Sequence, residues 1–164
     1  METVVATRRS LVGFSLYLAI FLAIVGVILA FKSLLIAPPY AVSAYLIVFD
    51  RESKYARSRN IVVSYLFVIA SSEAFTLVLG VTDLALVLNV LVVSVFITVT
   101  PYAHPPALAL TIFSYIVHDP WSFTVTSLIV LGIVAAADAL IDRTPRLRTA
   151  LARPASPAAG GGPA

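Results

Sequence analysis

The amino-acid sequence predicts an all-α membrane protein that crosses the bilayer six times. Three observations indicate this fold class: a mostly apolar composition, long runs without charge, and two Pro-Pro steps inside apolar sequence. Of the 164 residues, 60% are hydrophobic and 12% are charged. A soluble core of this size cannot bury so much apolar surface, so the chain is expected to be an integral membrane protein in contact with the lipid bilayer.

Apolar runs of about 20 residues, the length that one spanning helix needs, occur three times. They are Leu11 to Phe31, Asn60 to Gly80 and Trp121 to Ile141. A shorter fourth run covers Leu84 to Thr100 and ends at Pro101. We expect each of these runs to form one helix across the membrane.

Two diproline steps interrupt the remaining apolar stretches, Ser33 to Phe49 and Thr100 to Val117. Proline removes a backbone donor and clashes with the preceding turn, and non-helical backbone inside a bilayer must be buried in protein or line a cavity. Because proline suits the first helical position, we expect Pro39 and Pro106 to open short helices after extended backbone. About 11 helical residues would follow each step, roughly 16 Å. These two half-helices complete the six crossings.

The basic residues predict how the chain is oriented. Ten of the eleven Lys and Arg lie in three groups: Arg8 and Arg9, Arg51 to Arg59, and Arg143 to Arg153. By the positive-inside rule, both termini and the loop at 50–60 are cytoplasmic, which agrees with an even number of crossings. We therefore expect a multi-pass protein of the cell membrane. Orientation explains the basic excess, so no nucleic-acid partner is predicted.

The two halves of the chain share one pattern of long helix, diproline step, short helix and long helix. The diprolines are 67 residues apart. Because three crossings per half is an odd number, the second half would lie upside down relative to the first. This arrangement is an inverted repeat of three plus three crossings, which many transporters use to hold substrate near the midplane.

We expect residues 1–150 to form a single transmembrane helical domain. Residues 151–164 form a tail rich in Pro, Ala and Gly that is expected to be disordered and to have no role. The chain has no cysteine and only two histidines, His104 and His118. Because it also lacks the common metal, nucleophile and phosphate-binding motifs, we predict no enzymatic activity, no cofactor and no metal site.

The half-helices suggest a ligand. If the first descends from the outside and the second rises from the inside, both helix N-termini point toward the membrane interior, and such positive ends bind anions. The expected donors are the amides that follow the prolines: Tyr40, Ala41, Ala107 and Leu108. The predicted site also includes the four prolines themselves: Pro38, Pro39, Pro105 and Pro106. The alternative is that both breaks are kinks sealed by neighbouring hydroxyl groups.

His104 directly precedes the second diproline, near the polar residues Thr100 and Tyr102. A histidine inside the membrane can donate to an anion or hold a proton in transit. It can equally cap the short helix without meeting a substrate, and the sequence leaves both roles open.

Lys32 is the one basic residue outside the three groups. It either snorkels to the outer interface or attracts anions at the outer mouth. Glu73 lies at a depth that is compatible with a Lys32 to Glu73 ion pair, and the sequence leaves open whether the two residues pair. Small polar residues such as Ser72 and Asn89 are interpreted as helix-packing residues, and Asp138 and Asp142 as interfacial charge beside Arg143.

Three segments resemble the HPP family of membrane proteins. Thr100 to Leu110, TPYAHPPALAL, resembles the signature that names the family. Leu35 to Ala44, LIAPPYAVSA, is similar to its LIAPFGASA stretch, and Ala56 to Asn60, ARSRN, resembles its basic PRN element. The resemblance covers Leu11 to Arg148. The residues that match by position are Ala37, Pro38, Ala41, Arg59, Asn60, His104, Pro105, Pro106 and Ala107.

The resemblance implies a compact bundle of membrane helices, with nitrite transport reported for some photosynthetic members. Tyr40 and Leu108 stand where the family commonly has glycine, so bulky side chains lie at both helix entrances. The leading hypothesis is a homo-oligomeric transporter or channel for a small inorganic anion, nitrite-like. The alternatives are a non-transporting membrane scaffold or sensor, and a proton or cation pathway through His104 and Glu73.

Overall fold

A computed structural model describes residues 2–117 and 119–151, with side chains from residue 11 onward. Each regular element in these ranges is helical, and seven are α-helices. They are α1 (Glu2–Ala30), α2 (Ala37–Phe49), α3 (Ser58–Leu79), α4 (Asp83–Val99), α5 (Pro106–Ile116), α6 (Pro120–Arg143) and α7 (Pro145–Leu151). Short 3-10 turns cover Leu34–Ile36 and Lys54–Ala56. Apart from Leu151, the predicted tail lies outside the described residues.

Three helical segments are long and apolar enough to cross a membrane: Leu11–Ala30, Ser58–Leu79 and Pro120–Arg143. They confirm the three long apolar runs of the sequence. The fourth run corresponds to α4, and α2 and α5 are the short apolar helices at the diproline steps. The all-helical membrane class is therefore confirmed.

The two diproline steps differ in how they begin their helices. Pro106 is the first residue of α5, as predicted, and the extended backbone of Thr100 precedes it. By contrast, α2 begins at Ala37, and a 3-10 turn rather than extended backbone leads into it. The prediction for Pro39 is wrong because prolines also fit the second and third positions of the first turn, where no intrahelical donor is needed.

The helices pack into two groups that meet along α3 and α6. α1 and α2 pack on each other and on α6, while α4 and α5 pack on each other and on α3. α3 also packs on α6, and α2 on α5. The buried core contains Ile24, Ile28, Tyr40, Tyr65 and Phe123, whereas Leu77 and Trp121 are exposed, as expected for side chains that face lipid.

Arg51 joins α2 to α6 at one end of the bundle. Its guanidinium nitrogens lie 2.8 Å from Asp138 Oδ1 and 2.7 Å from Asp142 Oδ1, and Nη1 also donates to the Ile47 carbonyl at 2.7 Å. Asp138 is buried. Its partner is thus Arg51 from a distant loop, and the interpretation of Asp138 as interfacial charge beside Arg143 is wrong. We call this end, which carries Arg51, Lys54 and Arg57, the basic end.

Lys32 and Glu73, whose pairing the sequence leaves open, do not form an ion pair. Within residues 11–117 and 119–151, the ion pairs are the two made by Arg51. Glu73 Oε1 instead accepts a hydrogen bond from the Thr124 hydroxyl on α6. Lys32 has a positive φ of 55° and lies in the turn that ends α1. The hydroxyl oxygen of the next residue, Ser33, lies 2.9 Å from the hydroxyl oxygen of Ser122.

Candidate functional site

The two diproline steps meet at one cleft between α2 and α5. The cleft has a volume of about 420 Å³ and apolar walls. Its lining residues are Pro38, Pro39, Val42, Leu46, Tyr55, Pro105, Pro106 and Ala109. Because Pro38 and Val42 are exposed, the cleft opens on the outside of the bundle. The sequence predicted that the two breaks approach each other, and in the structure all four prolines line this cleft.

His104 lies behind the cleft and is fully buried. Its Nε2 is 2.9 Å from Ser43 Oγ on α2, and its Nδ1 is 2.9 Å from the carbonyl oxygen of Tyr55. Tyr65 of α3 packs its ring edge-on against the imidazole, with 5.1 Å between ring centroids. The imidazole therefore links the start of α5 to α2, to the Lys54–Ala56 turn and to α3.

Ser43 is the centre of this hydrogen-bond network. Its hydroxyl oxygen lies 2.6 Å from Tyr65 Oη and 3.0 Å from the carbonyl of Pro39. The Tyr65 hydroxyl also reaches that carbonyl, at 2.8 Å. The carbonyl of Pro39 thus has two hydroxyl neighbours, and Ser43 connects it to His104.

The network can hold the imidazole in either protonation state. The Tyr55 carbonyl only accepts, so Nδ1 carries a proton in this contact. A neutral imidazole then accepts from the Ser43 hydroxyl at Nε2, while a charged one donates from Nε2 to Ser43. In the second case the Ser43 hydroxyl turns to the Pro39 carbonyl. A proton gained or lost at His104 therefore reorients one hydroxyl and leaves no buried group unpaired.

The backbone amides at the starts of α2 and α5 are already occupied. In α5, Ala107 N donates to the His104 carbonyl and Leu108 N to that of Pro105, both at 3.0 Å. In α2, Ile36 N and Ala37 N donate to Ser33 and Leu34. Prolines fill the remaining N-terminal positions of both helices and have no N–H to offer.

The prediction of free amides at the helix starts is therefore wrong. Because α2 begins at Ala37, Tyr40 and Ala41 are its fourth and fifth residues, and their amides belong to the intrahelical ladder. Ala107 and Leu108 close tight turns instead of facing a ligand. Any polar ligand near these breaks must be bound by side chains.

Tyr40 fills the space at the start of α2 with its side chain. It is fully buried, donates its hydroxyl to the Ser127 carbonyl at 2.9 Å, and packs on Tyr65 with 4.6 Å between ring centroids. A glycine at this position would leave the start of α2 open, whereas the Tyr40 side chain closes it. Leu108 is partly buried and packs against the core.

The segment before the second diproline is bound by the first turns of α3. Ser64 donates to the Tyr102 carbonyl, and Arg59 donates to the Tyr102 hydroxyl at 2.8 Å with its guanidinium 5.1 Å from the ring centroid. Asn60 donates to the Lys54 carbonyl at 2.8 Å. The two residues matched to the basic PRN element thus hold the loops on either side of His104.

Thr100 and Lys32 take no part in the His104 network. The Thr100 hydroxyl accepts from the Tyr102 amide at 3.3 Å, which shapes the bend before α5. Lys32 is exposed and lies in the turn after α1. Whether either residue contacts a substrate stays a prediction.

Sequence reasoning missed Ser43 and Tyr65, the two hydroxyl groups that bond to each other beside His104. A signal for Ser43 was available, because it stands four residues after Pro39 and so shares a helix face with it. Tyr65 was interpreted as a packing residue, and no local pattern distinguishes it from Tyr17 or Tyr45. In the described part of the chain, no three His, Asp or Glu side chains lie together as a metal site.

Comparison with known proteins gives one match. A family model described as the HPP transmembrane region matches residues 2–148. This range includes the seven helices except for the last residues of α7. No curated protein and no solved structure matches the chain.

Proposed function

This chain belongs to the HPP transmembrane family, and from that membership we propose that it is a transporter or channel for a small inorganic anion, nitrite-like. The observation that carries the proposal is His104, a fully buried imidazole where two proline-broken helices meet. Ionisable side chains inside a membrane bundle are expensive to bury, and they mark ion or proton pathways more often than packing sites.

The proposed ligands of the anion are side chains. Ser43 and Tyr65 offer hydroxyl protons, and His104 offers its Nε2–H when the imidazole is charged. Ser43 Oγ lies 2.6 Å from Tyr65 Oη and 2.9 Å from His104 Nε2. An anion that enters would replace the Pro39 carbonyl as the acceptor for the two hydroxyls. The sealed network is then the empty form of the site, and substrate entry requires α2 and α5 to separate at the cleft.

We also propose that the two halves form the inverted repeat predicted from the diprolines. The helix contacts support it. When α1, α2 and α3 are matched in order with α4, α5 and α6, three helix contacts have counterparts. The α1–α2 contact corresponds to α4–α5, α1–α6 to α4–α3, and α2–α6 to α5–α3. The third helix of each half packs on the first two helices of the other half, which explains why α3 packs with α4 and α5. Six crossings with both termini on the same side of the membrane follow from this arrangement, and the positions of the basic residues favour the cytoplasmic side.

A homo-oligomer is part of the proposal. α2 has 13 residues and α5 has 11, so on the side of the cleft the wall of a single bundle is short. The cleft itself is apolar and open to the outside of the bundle. A second copy packed there would complete the wall around the site.

Flux into proteoliposomes tests the anion proposal. Purified full-length protein should move nitrite, and His104→Ala should lower the flux by about tenfold or more, the effect of losing one hydrogen bond to a charged group. Tyr17→Phe is the matched control, because Tyr17 packs on Phe49 and Tyr45 without a bonded hydroxyl among the described contacts. If nitrite, nitrate and chloride all fail to move, the proposal is wrong.

A second candidate is a membrane scaffold that binds a partner at the cleft. The observation in its favour is that every amide at the two helix starts is occupied and the cleft walls are apolar. If the protein is a scaffold, liposomes with the wild type would stay impermeable to all three anions. His104→Ala would then lower stability and would not change the flux.

A further inference from the structure

The cleft between α2 and α5 is an apolar groove that follows one face of each helix. From α2 it is lined by Pro38, Val42 and Leu46, which are four residues apart and therefore share a helix face. From α5 it is lined by Pro106 and Ala109, which lie one turn apart. Pro38 and Leu46 are separated by about 12 Å along the helix axis. The groove thus runs along α2 toward the basic end of the bundle.

The end of the groove nearest the basic end carries an unpaired positive charge. Tyr55, in the turn before α3, lines the groove there, and Lys54 Nζ lies 5.0 Å from the centroid of its ring. Lys54 is exposed, as is Arg57 in the same loop. Among the residues whose side chains the structure describes, both ion pairs are made by Arg51. The ammonium group of Lys54 is therefore available to an anionic ligand.

The volume of the groove limits what can occupy it. A helix about 10 Å wide and 12 Å long fills roughly 900 Å³, about twice the 420 Å³ of the cleft. A helix of a partner protein can therefore not lie inside the groove, whereas the much thinner hydrocarbon chain of a lipid can. Because the groove opens on the outside of a membrane-spanning bundle, lipid chains are the apolar molecules that reach it from the bilayer.

The head group has to select the lipid. A hydrocarbon chain that moves from the bilayer into the groove gains little from the apolar walls, because lipid tails are equally apolar. Basic residues near the membrane surface attract anionic lipids, and basic pockets between membrane helices bind their head groups. Lys54 supplies such a charge where the groove ends, and Tyr55 is a residue type that is common at this interface.

We propose that the groove binds one anionic phospholipid, with an acyl chain along Val42, Leu46 and Ala109 and the phosphate beside Lys54. The site concerns binding alone and does not rest on anion transport. In the homo-oligomer proposed above, the lipid would lie between two copies that pack across the cleft.

Native mass spectrometry of the full-length protein in detergent tests this site. The probes are phosphatidylglycerol and phosphatidylcholine with identical acyl chains, each added at a low excess. Val42→Trp fills the groove, and its matched control is Val95→Trp on α4, where Val95 is 58% exposed and lies away from the cleft. Lys54→Gln removes the charge at the end of the groove. Its control is Lys32→Gln, which removes the other lysine of the chain.

We expect the wild type to retain one phosphatidylglycerol with a preference of about fivefold or more over phosphatidylcholine, the effect of one lysine near an anionic lipid. Lys54→Gln should lower this preference about fivefold, and Val42→Trp should lower the binding of both lipids. Both controls should match the wild type.

Three results would overturn the proposal. The first is equal retention of the two lipids by the wild type, or a preference that Lys54→Gln leaves unchanged, because the head group would then not be bound by Lys54. The second is unchanged lipid binding in Val42→Trp. The third is a lipid-free dimer that Val42→Trp dissociates, which would identify a second copy of the chain as the occupant of the groove.

Discussion

Ser43 Oγ lies 2.9 Å from Nε2 of His104, and this contact joins α2 to the segment that leads into α5. The other ring nitrogen bonds to the Tyr55 carbonyl. One imidazole thus holds three segments that are distant in the chain. Stability and any transport activity should both depend on it, and separate measurements distinguish the two.

Replacing His104 with leucine should destabilise the protein. The change keeps most of the side-chain volume but leaves the Tyr55 carbonyl without its partner, at about 1–3 kcal/mol for a buried group, while Ser43 keeps its contacts to the Pro39 carbonyl and the Tyr65 hydroxyl. Thermal unfolding in one detergent measures the effect. Thr98→Val is the control, because the exposed Thr98 hydroxyl bonds only to the Ser94 carbonyl of its own helix. Equal Tm values for the two variants would contradict the importance of the network.

Removing the Arg51 guanidinium should be far more harmful than removing the charge of Asp142, the more exposed of the two carboxylates that it contacts. The Asp138 side chain is 5% exposed and that of Asp142 is 59% exposed. Arg51→Met leaves a buried carboxylate unpaired, at about 3–5 kcal/mol, while Asp142→Asn affects an exposed pair worth about 1 kcal/mol or less.

The double variant Arg51→Met with Asp138→Leu should recover much of the stability, because it removes both buried charges. Unfolding curves of the wild type, Arg51→Met and the double variant form the comparison. A double variant that is less stable than Arg51→Met would show that Asp138 has another essential partner.

Gly80 should not tolerate a side chain. It ends α3 with φ 72° and ψ −174°, a conformation that is almost restricted to glycine, so Gly80→Ala should lose about 1–3 kcal/mol. Gly26 is the matched control, since it lies inside α1 with no atom within 4 Å of an added Cβ. Gly26→Ala should leave Tm unchanged or raise it, because alanine favours helix. A Tm loss of the same size in both variants would argue against the strained turn.

The predicted orientation can be tested with single cysteines, because the chain has none of its own. Glu52 and Asp83 are both exposed and lie near opposite ends of α3. Glu52 is in the turn before α3, and Asp83 is the first residue of α4. A membrane-impermeant maleimide should label Asp83→Cys in intact cells and Glu52→Cys only after permeabilisation. Labelling of both from the same side would exclude α3 as a complete crossing.

The long helices were predictable because length and apolarity alone determine them. α3 begins two residues before the predicted run at Asn60, and α6 begins one residue before Trp121. Local turn chemistry was predictable for Pro106, which opens α5. These features depend on residues close in the chain, where side-chain pattern and backbone preference act together.

The site was less predictable because its contacts join distant parts of the chain. The free amides were assigned by counting from the prolines, yet α2 starts earlier, at Ala37. Asp142 was interpreted as interfacial charge beside Arg143, whereas its ion-pair partner is Arg51, 91 residues away. A pattern of apolar and polar residues shows which side chains are buried, but it does not show which of them meet.

The lengths of α2 and α5 have a consequence for the lipid around them. A helix of 11 residues, as in α5, spans about 16 Å, while the hydrocarbon of a bilayer is about 30 Å thick. Beside the diproline cleft, the protein offers lipid chains a surface much shorter than the one that α1, α3 and α6 offer elsewhere. Such hydrophobic mismatch thins the bilayer locally, so the membrane should be thinnest at the place where the two helices break.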